Sequence, residues 1–244
     1  MVGIYTDSNT GLTRGWFKPH HGKFKHIDFP GAQQTFPRDI NTSGHMAGFF
    51  NDDAGMYHGF FLSGGVFHQL DYPGALHTLA RGLNDHDRIV GDYNDVDNIH
   101  IHGFVFRKQQ FASFDFPGAV ITSGTGINKS GKRVGFYNTD TTPYYGYVFH
   151  DGTFRSIQVS GSTETDILSL NNKGESVGFY RDVSGTAHGF LLSSGKVTNL
   201  DVPDSISTIA RGINDLGVIV GSYYDANFLE HGFRATPKGG SGGR

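Results

Sequence analysis

Cysteine is absent from the chain, which excludes disulfides and thiolate-held metal and leaves the redox compartment open. No apolar run approaches the ~18 residues of a membrane-crossing helix, and no charged, apolar, small-residue leader follows Met1. The expectation is a soluble, unprocessed chain with no membrane partner. Charge of one sign is also scarce. Lys and Arg number 20 against 23 Asp and Glu, a net charge of -3, and no basic run supplies an electrostatic footprint for nucleic acid. A Gly-rich phosphate loop, a nucleophile elbow, a His-Glu-x-x-His motif and an EF-hand loop are all missing, so no cofactor is implied.

What the chain has in excess is glycine, 36 of 244 residues, about twice the usual ~7%. The glycines sit at repeated offsets. A tripeptide ending in Asn recurs at Asn41, Asn84, Asn128, Asn171 and Asn214, 43 or 44 residues apart, which marks a repeat architecture. Each Asn is followed by a Val-Gly or Ala-Gly (Gly48, Gly91, Gly135, Gly178, Gly221), with an extra Val2-Gly3 near the start. Then come a His-Gly-Phe-like triplet and an Asp-x-Pro-Gly corner at Asp28, Asp71 and Asp115, looser at Asp201 and degenerate at Gln158.

Four short segments per unit have strand character, for example Thr78 to Asn84, Arg88 to Tyr93, His102 to Phe106 and Phe111 to Phe116. Pairs such as Gly64-Gly65, Asp151-Gly152 and Ser194-Gly195 suit two-residue hairpins, whose central positions need positive φ. Proline at the corner fixes φ and removes a donor where pairing must stop. The reading is all-β: a small β-propeller of four-stranded antiparallel blades, with small residues such as Ala80 and Gly82 on the innermost strand. Residues 2–234 form one domain of ~43-residue repeats, and 235–244 read as a flexible Gly/Ser tail. Five inner and five outer strands stand against six of each middle strand. Five blades are preferred and six are the alternative, and a surplus terminal hairpin is available for self-association.

Taken together, Gly-Ile-Asn-Asp-x-Gly and x-Val-Gly-x-Tyr at Gly212 to Tyr223, with His-Gly-Phe-Leu at His188 to Leu191, resemble the HAF-family extracellular repeats. The resemblance covers residues 2–234. It implies a propeller-like array, an extracellular or cell-envelope location, and no single activity. The chain departs from the pattern at Arg14-Gly15-Trp16, Tyr145-Gly146-Tyr147, Gln158 to Gly161, and Asp87 in place of a turn Gly.

Candidate site residues follow from positions that vary on a constant frame. Three residues before the Asn stand Arg38, Arg81 and Arg211, with Thr125 and Leu168 as counterparts. Arginines near an axis need carboxylate, carbonyl or anionic partners. One face of the meanders collects Gln34, His77, Glu164 and Asp166 from corners and Tyr57, His100, Tyr144 and Glu230 from loops. His58, His102, His188 and His231 share one repeat position; a structural role is the stronger reading there and a metal-holding ring the weaker. Asp7, Asp52, Asp95, Asp182 and Asp225 fit Asx turns, with calcium a minor reading.

Three functions fit these residues. The first is a ligand-binding or interaction module for a carbohydrate or small anion, with Arg38, Arg81, Arg211, His77, His100, Tyr144 and Glu230 lining the site. The second is a glycoside hydrolase-like enzyme using Asp39, Glu164 and Asp166, and the third a structural repeat protein. Binding ranks above catalysis.

Overall fold

The computed structural model describes residues 1–19 and 21–237. Every regular element among them is a β-strand and no helix occurs. The first sheet has three strands, β1 (Val2–Thr6), β2 (Thr13–Phe17) and β3 (Lys25–Ile27). Antiparallel four-strand meanders follow: β4 (Gln34–Ile40), β5 (Met46–Asn51), β6 (Tyr57–Ser63) and β7 (Val66–Leu70), then β8 (His77–Leu83), β9 (Ile89–Asn94), β10 (Ile101–Arg107) and β11 (Gln110–Phe114). The fourth repeat supplies β12 (Ile121–Ile127), β13 (Arg133–Asn138), β14 (Tyr145–His150) and β15 (Thr153–Ile157). Next are β16 (Glu164–Leu170), β17 (Ser176–Arg181), β18 (Ala187–Ser193) and β19 (Lys196–Asn199). The last sheet is β20 (Ser207–Ile213), β21 (Ile219–Tyr224) and β22 (Glu230–Ala235). β22 runs one residue past the expected boundary at 234, and the tail reading for 238–244 lies outside the described residues.

The chain divides into two compact units, residues 1–133 with 137–141 and residues 134–136 with 142 onward, the division falling inside the fourth repeat. In the first unit, Phe60 and Phe50 pack against Val2, Phe17 and Ile27 of the first sheet and Phe29 of the corner after it. Ala47 and Leu70 meet Ala80, Leu83, Ile89, Tyr93 and Phe104 of the next repeat. The second unit repeats the scheme with Val134, Ile167, Leu170, Phe190 and Leu192, and with Val177, Ala210 and Ile219. Full burial of each such ring or branched chain contributes roughly 1.5–3 kcal/mol.

The periodic residues explain the frame. At each of the five corners a Thr hydroxyl accepts the backbone N–H six residues before it: Thr35 from Phe29, Thr78 from Tyr72, Thr122 from Phe116, Thr165 from Val159 and Thr208 from Val202, at 2.9–3.1 Å. The aromatic at the corner stacks on the aromatic of the following repeat's second strand, as Phe29 on Phe50 (3.7 Å), Tyr72 on Tyr93 (3.6 Å) and Phe116 on Tyr137 (3.5 Å). Glycine on the second strand is required by a close approach: a Cβ on Gly178 would collide with the Asp166 carbonyl oxygen, and one on Gly48 with that of Phe36 and the Phe60 ring.

The repeated Asn is a stitch between repeats. Its Oδ1 closes the following turn, accepting His86 N–H and Arg88 N–H at Asn84 (2.9 and 3.0 Å). Its Nδ2 donates to the carbonyl of the Asn one repeat on, Asn41 to Asn84 (3.1 Å), Asn84 to Asn128 (2.9 Å) and Asn171 to Asn214 (3.1 Å). No other side chain of this size offers a turn-closing acceptor and a cross-repeat donor in one plane.

Candidate functional site

β-Bulges place the arginines. The register between the first and second strands of a repeat shifts between Pro37 and Asp39, Ala80 and Gly82, Ile167 and Ser169, and Ala210 and Gly212. The residues skipped are Arg38, Arg81, Leu168 and Arg211. A bulged residue leaves the ladder and its side chain is re-aimed, here toward the residue after the second-strand glycine, which is Phe49, Asp92 or Ser222.

In the first unit this builds one mixed cluster. The Arg38 guanidinium carbon lies 4.9 Å from the Phe49 ring centroid and that of Arg81 lies 5.9 Å from the same ring. Phe36 stacks on Phe49 at 4.8 Å, and Tyr57 meets it edge-on at 5.8 Å. Arg81 grips the buried Asp92 with Nε and Nη2, and Asp92 also accepts the Ser123 hydroxyl. His77 Nδ1 accepts the Tyr57 N–H at 3.1 Å and its ring packs edge-on to Tyr57 at 5.5 Å. That bond selects the Nε2–H tautomer. Burial lowers the His77 pKa, helped by the nearby charge of His58, so a neutral imidazole faces the cluster. Arg38, Arg81, His77 and Tyr57 therefore come together. Gln34 instead accepts the Thr13 N–H at 3.0 Å and ties the first sheet to the second.

In the second unit Arg211 donates to the Ser222 hydroxyl (3.2 Å) and lies 3.8 Å from Glu230, both side chains about half exposed. Glu164 pairs with Arg181 at 2.8 Å, and that guanidinium lies 5.5 Å from the Phe179 ring. Tyr144 meets Phe136 edge-on at 5.7 Å, and its carbonyl accepts the Thr165 N–H. Asp166 is buried on β16 opposite Phe179. Asp39 belongs to the first unit, where its oxygens accept the N–H groups of Leu83 and Ile40, both at 2.8 Å. Burial pushes its pKa up to about 6 against those two bonds.

The four equivalent histidines are held singly. His58, His102 and His188 place Nδ1 2.7–3.0 Å from the corner carboxylates Asp71, Asp115 and Asp201, and Nε2 3.3–3.4 Å from the loop carboxylates Asp52, Asp95 and Asp182. His231 has Asp225 at 3.0 Å. Each ring lies 5.1–5.2 Å from the second-strand aromatic beside it, Phe50, Tyr93, Tyr180 or Tyr223. The hydrogen bond that His188 donates to Asp201, opposed by burial and helped by Asp182, raises the His188 pKa. Their partners are carboxylates of their own repeat. His100 stands apart from the arginine cluster, in the loop between β9 and β10 beside Asp97 at 3.0 Å. The second-strand position after glycine, which decides each arginine's partner, was not singled out in the sequence; its signal is that it varies (Phe49, Asp92, Phe136, Phe179, Ser222) between a constant glycine and a constantly aromatic residue.

No family model and no curated protein matches the chain, so its resemblance to the HAF repeats rests on the motifs alone. Solved structures do match. The fungal lectin of Aleuria aurantia, described as a six-bladed β-propeller with a novel fucose recognition mode, is 10% identical over 95% of this chain and 85% of its own, with a TM-score of 0.58. SapL1 lectin, solved with α-methyl fucoside, is 9% identical over 97% and 95% at 0.59. The β-propeller domain of the Trilobed protease from Pyrococcus furiosus, of open velcro topology, is 7% identical over 97% and 78% at 0.60. The fold is thus all-β and of the β-propeller type.

Proposed function

We propose that the chain is a carbohydrate-binding β-propeller module whose ligand sits between successive repeats, against the residues that the bulges present. The observation that carries this reading is the cluster of Arg38, Phe49, Tyr57, His77 and the Arg81–Asp92 pair. It joins aromatic surface, on which the apolar face of a sugar ring can lie, to fixed donors and acceptors for hydroxyl groups. Lectin neighbours that share the fold support the same ligand class. Arg211 with Glu230, and Tyr144 with Phe136, are the corresponding sets in the second unit. A site for a free small anion has less support, because Arg81 and Arg211 each have an acidic partner.

We assign six repeats to the propeller rather than five. The first and last sheets have three strands each and four repeats lie between them, in line with the six-bladed neighbour. An extracellular or envelope location goes with this reading. Hydrolysis by Asp39, Glu164 and Asp166 has little support, since Asp39 is occupied by two backbone amides and Glu164 by Arg181.

Titration calorimetry with a panel of neutral and acidic saccharides, α-methyl fucoside among them, tests the proposal. Saturable binding weakened at least about tenfold by Tyr57→Ala or Arg38→Ala is expected, the size of one lost ring or charged contact. Absence of binding to any saccharide, or affinity unchanged in both variants, overturns it.

A further inference from the structure

The loop from β9 to β10 differs from its counterparts in what its carboxylates do. In the loops at Asp52, Asp182 and Asp225 the leading Asp closes the turn, its Oδ1 accepting the N–H groups two and four residues on, as Asp52 does from Ala54 and Met56 (both 2.9 Å). In the loop at Asp95 that work passes to Asp97, which accepts Ile99 N–H (2.9 Å) and His100 N–H (3.3 Å). The Asp95 backbone still closes the turn, accepting Asn98 N–H at 2.9 Å and donating to the His100 carbonyl at 3.1 Å, but its carboxylate is released from the turn amides. Among the described residues its carboxylate touches only His102 Nε2, at 3.3 Å. Asn94 Nδ2 donates to Asn98 Oδ1 at 2.8 Å and cross-ties the loop. His100 is the only histidine in any of the six equivalent loops.

We propose that Asp95, Asp97 and His100 form a binding site for one borderline divalent metal ion of the Zn2+ or Ni2+ type. One donor atom from each already lies within 4.8 Å of the other two. Tetrahedral zinc with ligand bonds of 2.0–2.2 Å needs donors about 3.3 Å apart, so rotation of exposed side chains closes the set and water completes it. Two carboxylates and one imidazole form a mixed oxygen–nitrogen set. That composition suits borderline ions, whereas calcium demands six to eight oxygens, which this loop does not gather. His102, hydrogen-bonded to Asp95 from behind and anchored on its other side by Asp115 at 3.0 Å, is a positioning residue that orients the ligating carboxylate. Its ring lies nearly parallel to that of His100, centroids 6.4 Å apart. The arginine cluster takes no part, so this inference stands or falls separately from saccharide binding.

Titration of the chelator-treated full chain with zinc chloride, without saccharide, tests the site. One equivalent is expected to bind, with at least about tenfold weaker affinity in Asp97→Asn and in His100→Gln, and a smaller loss in His102→Gln. His188→Gln, in a triad whose loop lacks the extra donors, should bind like the parent. Metal-free melting curves of the loop variants should match the parent, since both substitutions sit in an exposed loop. Cobalt substituted for zinc should give a visible absorption band that His100→Gln removes. Failure to saturate, binding that survives His100→Gln, or displacement of zinc by an equal concentration of calcium overturns the proposal.

Discussion

Replacing Asn84 by Ala tests whether the recurring Asn holds the repeats together. Asn84 is 4% exposed. The substitution deletes two bonds to turn amides and the bond to the Asn128 carbonyl. The two amides lie at a turn where water can replace the lost acceptor, so they cost little more than the net ~1 kcal/mol of an ordinary bond between them. The carbonyl belongs to a residue only 5% exposed, and leaving it unpaired costs about 1–3 kcal/mol. The sum is about 2–4 kcal/mol, or roughly 5–15 °C in the melting temperature of the unit that contains it. Asn214 is the internal control. It is exposed, and among the described residues its side chain makes only the turn bonds, to Leu216 and Val218, so Asn214→Ala should cost about 1 kcal/mol. Asn84→Asp adds a signature. It keeps the turn acceptor but puts an oxygen against the Asn128 carbonyl, and protonation turns that oxygen into a donor. Burial raises the pKa of such a carboxyl, so this variant should regain stability on acidification. Differential scanning calorimetry of the three variants decides. Equal costs for Asn84→Ala and Asn214→Ala would refute the stitch.

Gly178→Val should destabilise by roughly 1–3 kcal/mol through overpacking against the Asp166 carbonyl, and an unchanged melting temperature contradicts that. His188 has a raised pKa, from the Asp201 hydrogen bond first and Asp182 as well, while Asp182 is held down at about 2. The raised value means that its contribution is present below the unfolded His pKa near ~6.5 and is lost as pH rises through the folded one. The stability difference between the parent and His188→Gln should therefore be larger at pH 5 than at pH 9, and a flat difference argues against the triad. Arg81→Ala should cost about 3 kcal/mol or more by leaving the buried Asp92 charge without its cation, whereas Arg211→Ala, facing a half-exposed Glu230, should cost under about 1 kcal/mol. Urea unfolding that ranks the two the other way removes the basis for treating them differently.

Strand positions and the corner were legible because each depends on a local rule that recurs at a fixed period. The histidine triads were half legible. His102, Asp95 and Asp115 share the repeat period, so their joint recurrence was a signal for the carboxylate pairing that the structure contains. The bulges were not legible. A bulge is a property of pairing between two strands, and Arg38 or Arg81 between smaller neighbours reads the same in or out of the ladder. The repeat count was ambiguous for a related reason. Val2-Gly3 and Val220-Gly221 carry the same motif, and only the pairing of β20 with β21 shows which hairpin the last first-strand takes.

Three departures from the period fall together in the third repeat, β8 to β11. There Asp92 replaces the Phe found in the second, fourth and fifth repeats, the Asp95 carboxylate yields its turn amides to Asp97, and Asp87 stands where the other repeats have Gly44, Gly131, Gly174 and Gly217. Asp87 holds φ at 54°, a conformation that costs a non-glycine residue on the order of 1 kcal/mol. What offsets the strain is visible. Its Oδ1 takes Asn41 Nδ2 and lies beside His45 Nδ1, both at 2.8 Å, on the turn of the preceding repeat. Asp85 accepts the amide and hydroxyl of Thr42 on that same turn, at 3.0 and 2.7 Å. The second and third repeats are thus joined by more polar contacts than the periodic stitch alone supplies. A groove between repeats binds well only if its walls do not part, because each wall that must be ordered on binding subtracts from affinity. The extra clamp lies on the pair of repeats that share the Arg38, Phe49, Tyr57, His77 and Arg81 cluster, which is where the proposed saccharide site would need fixed walls.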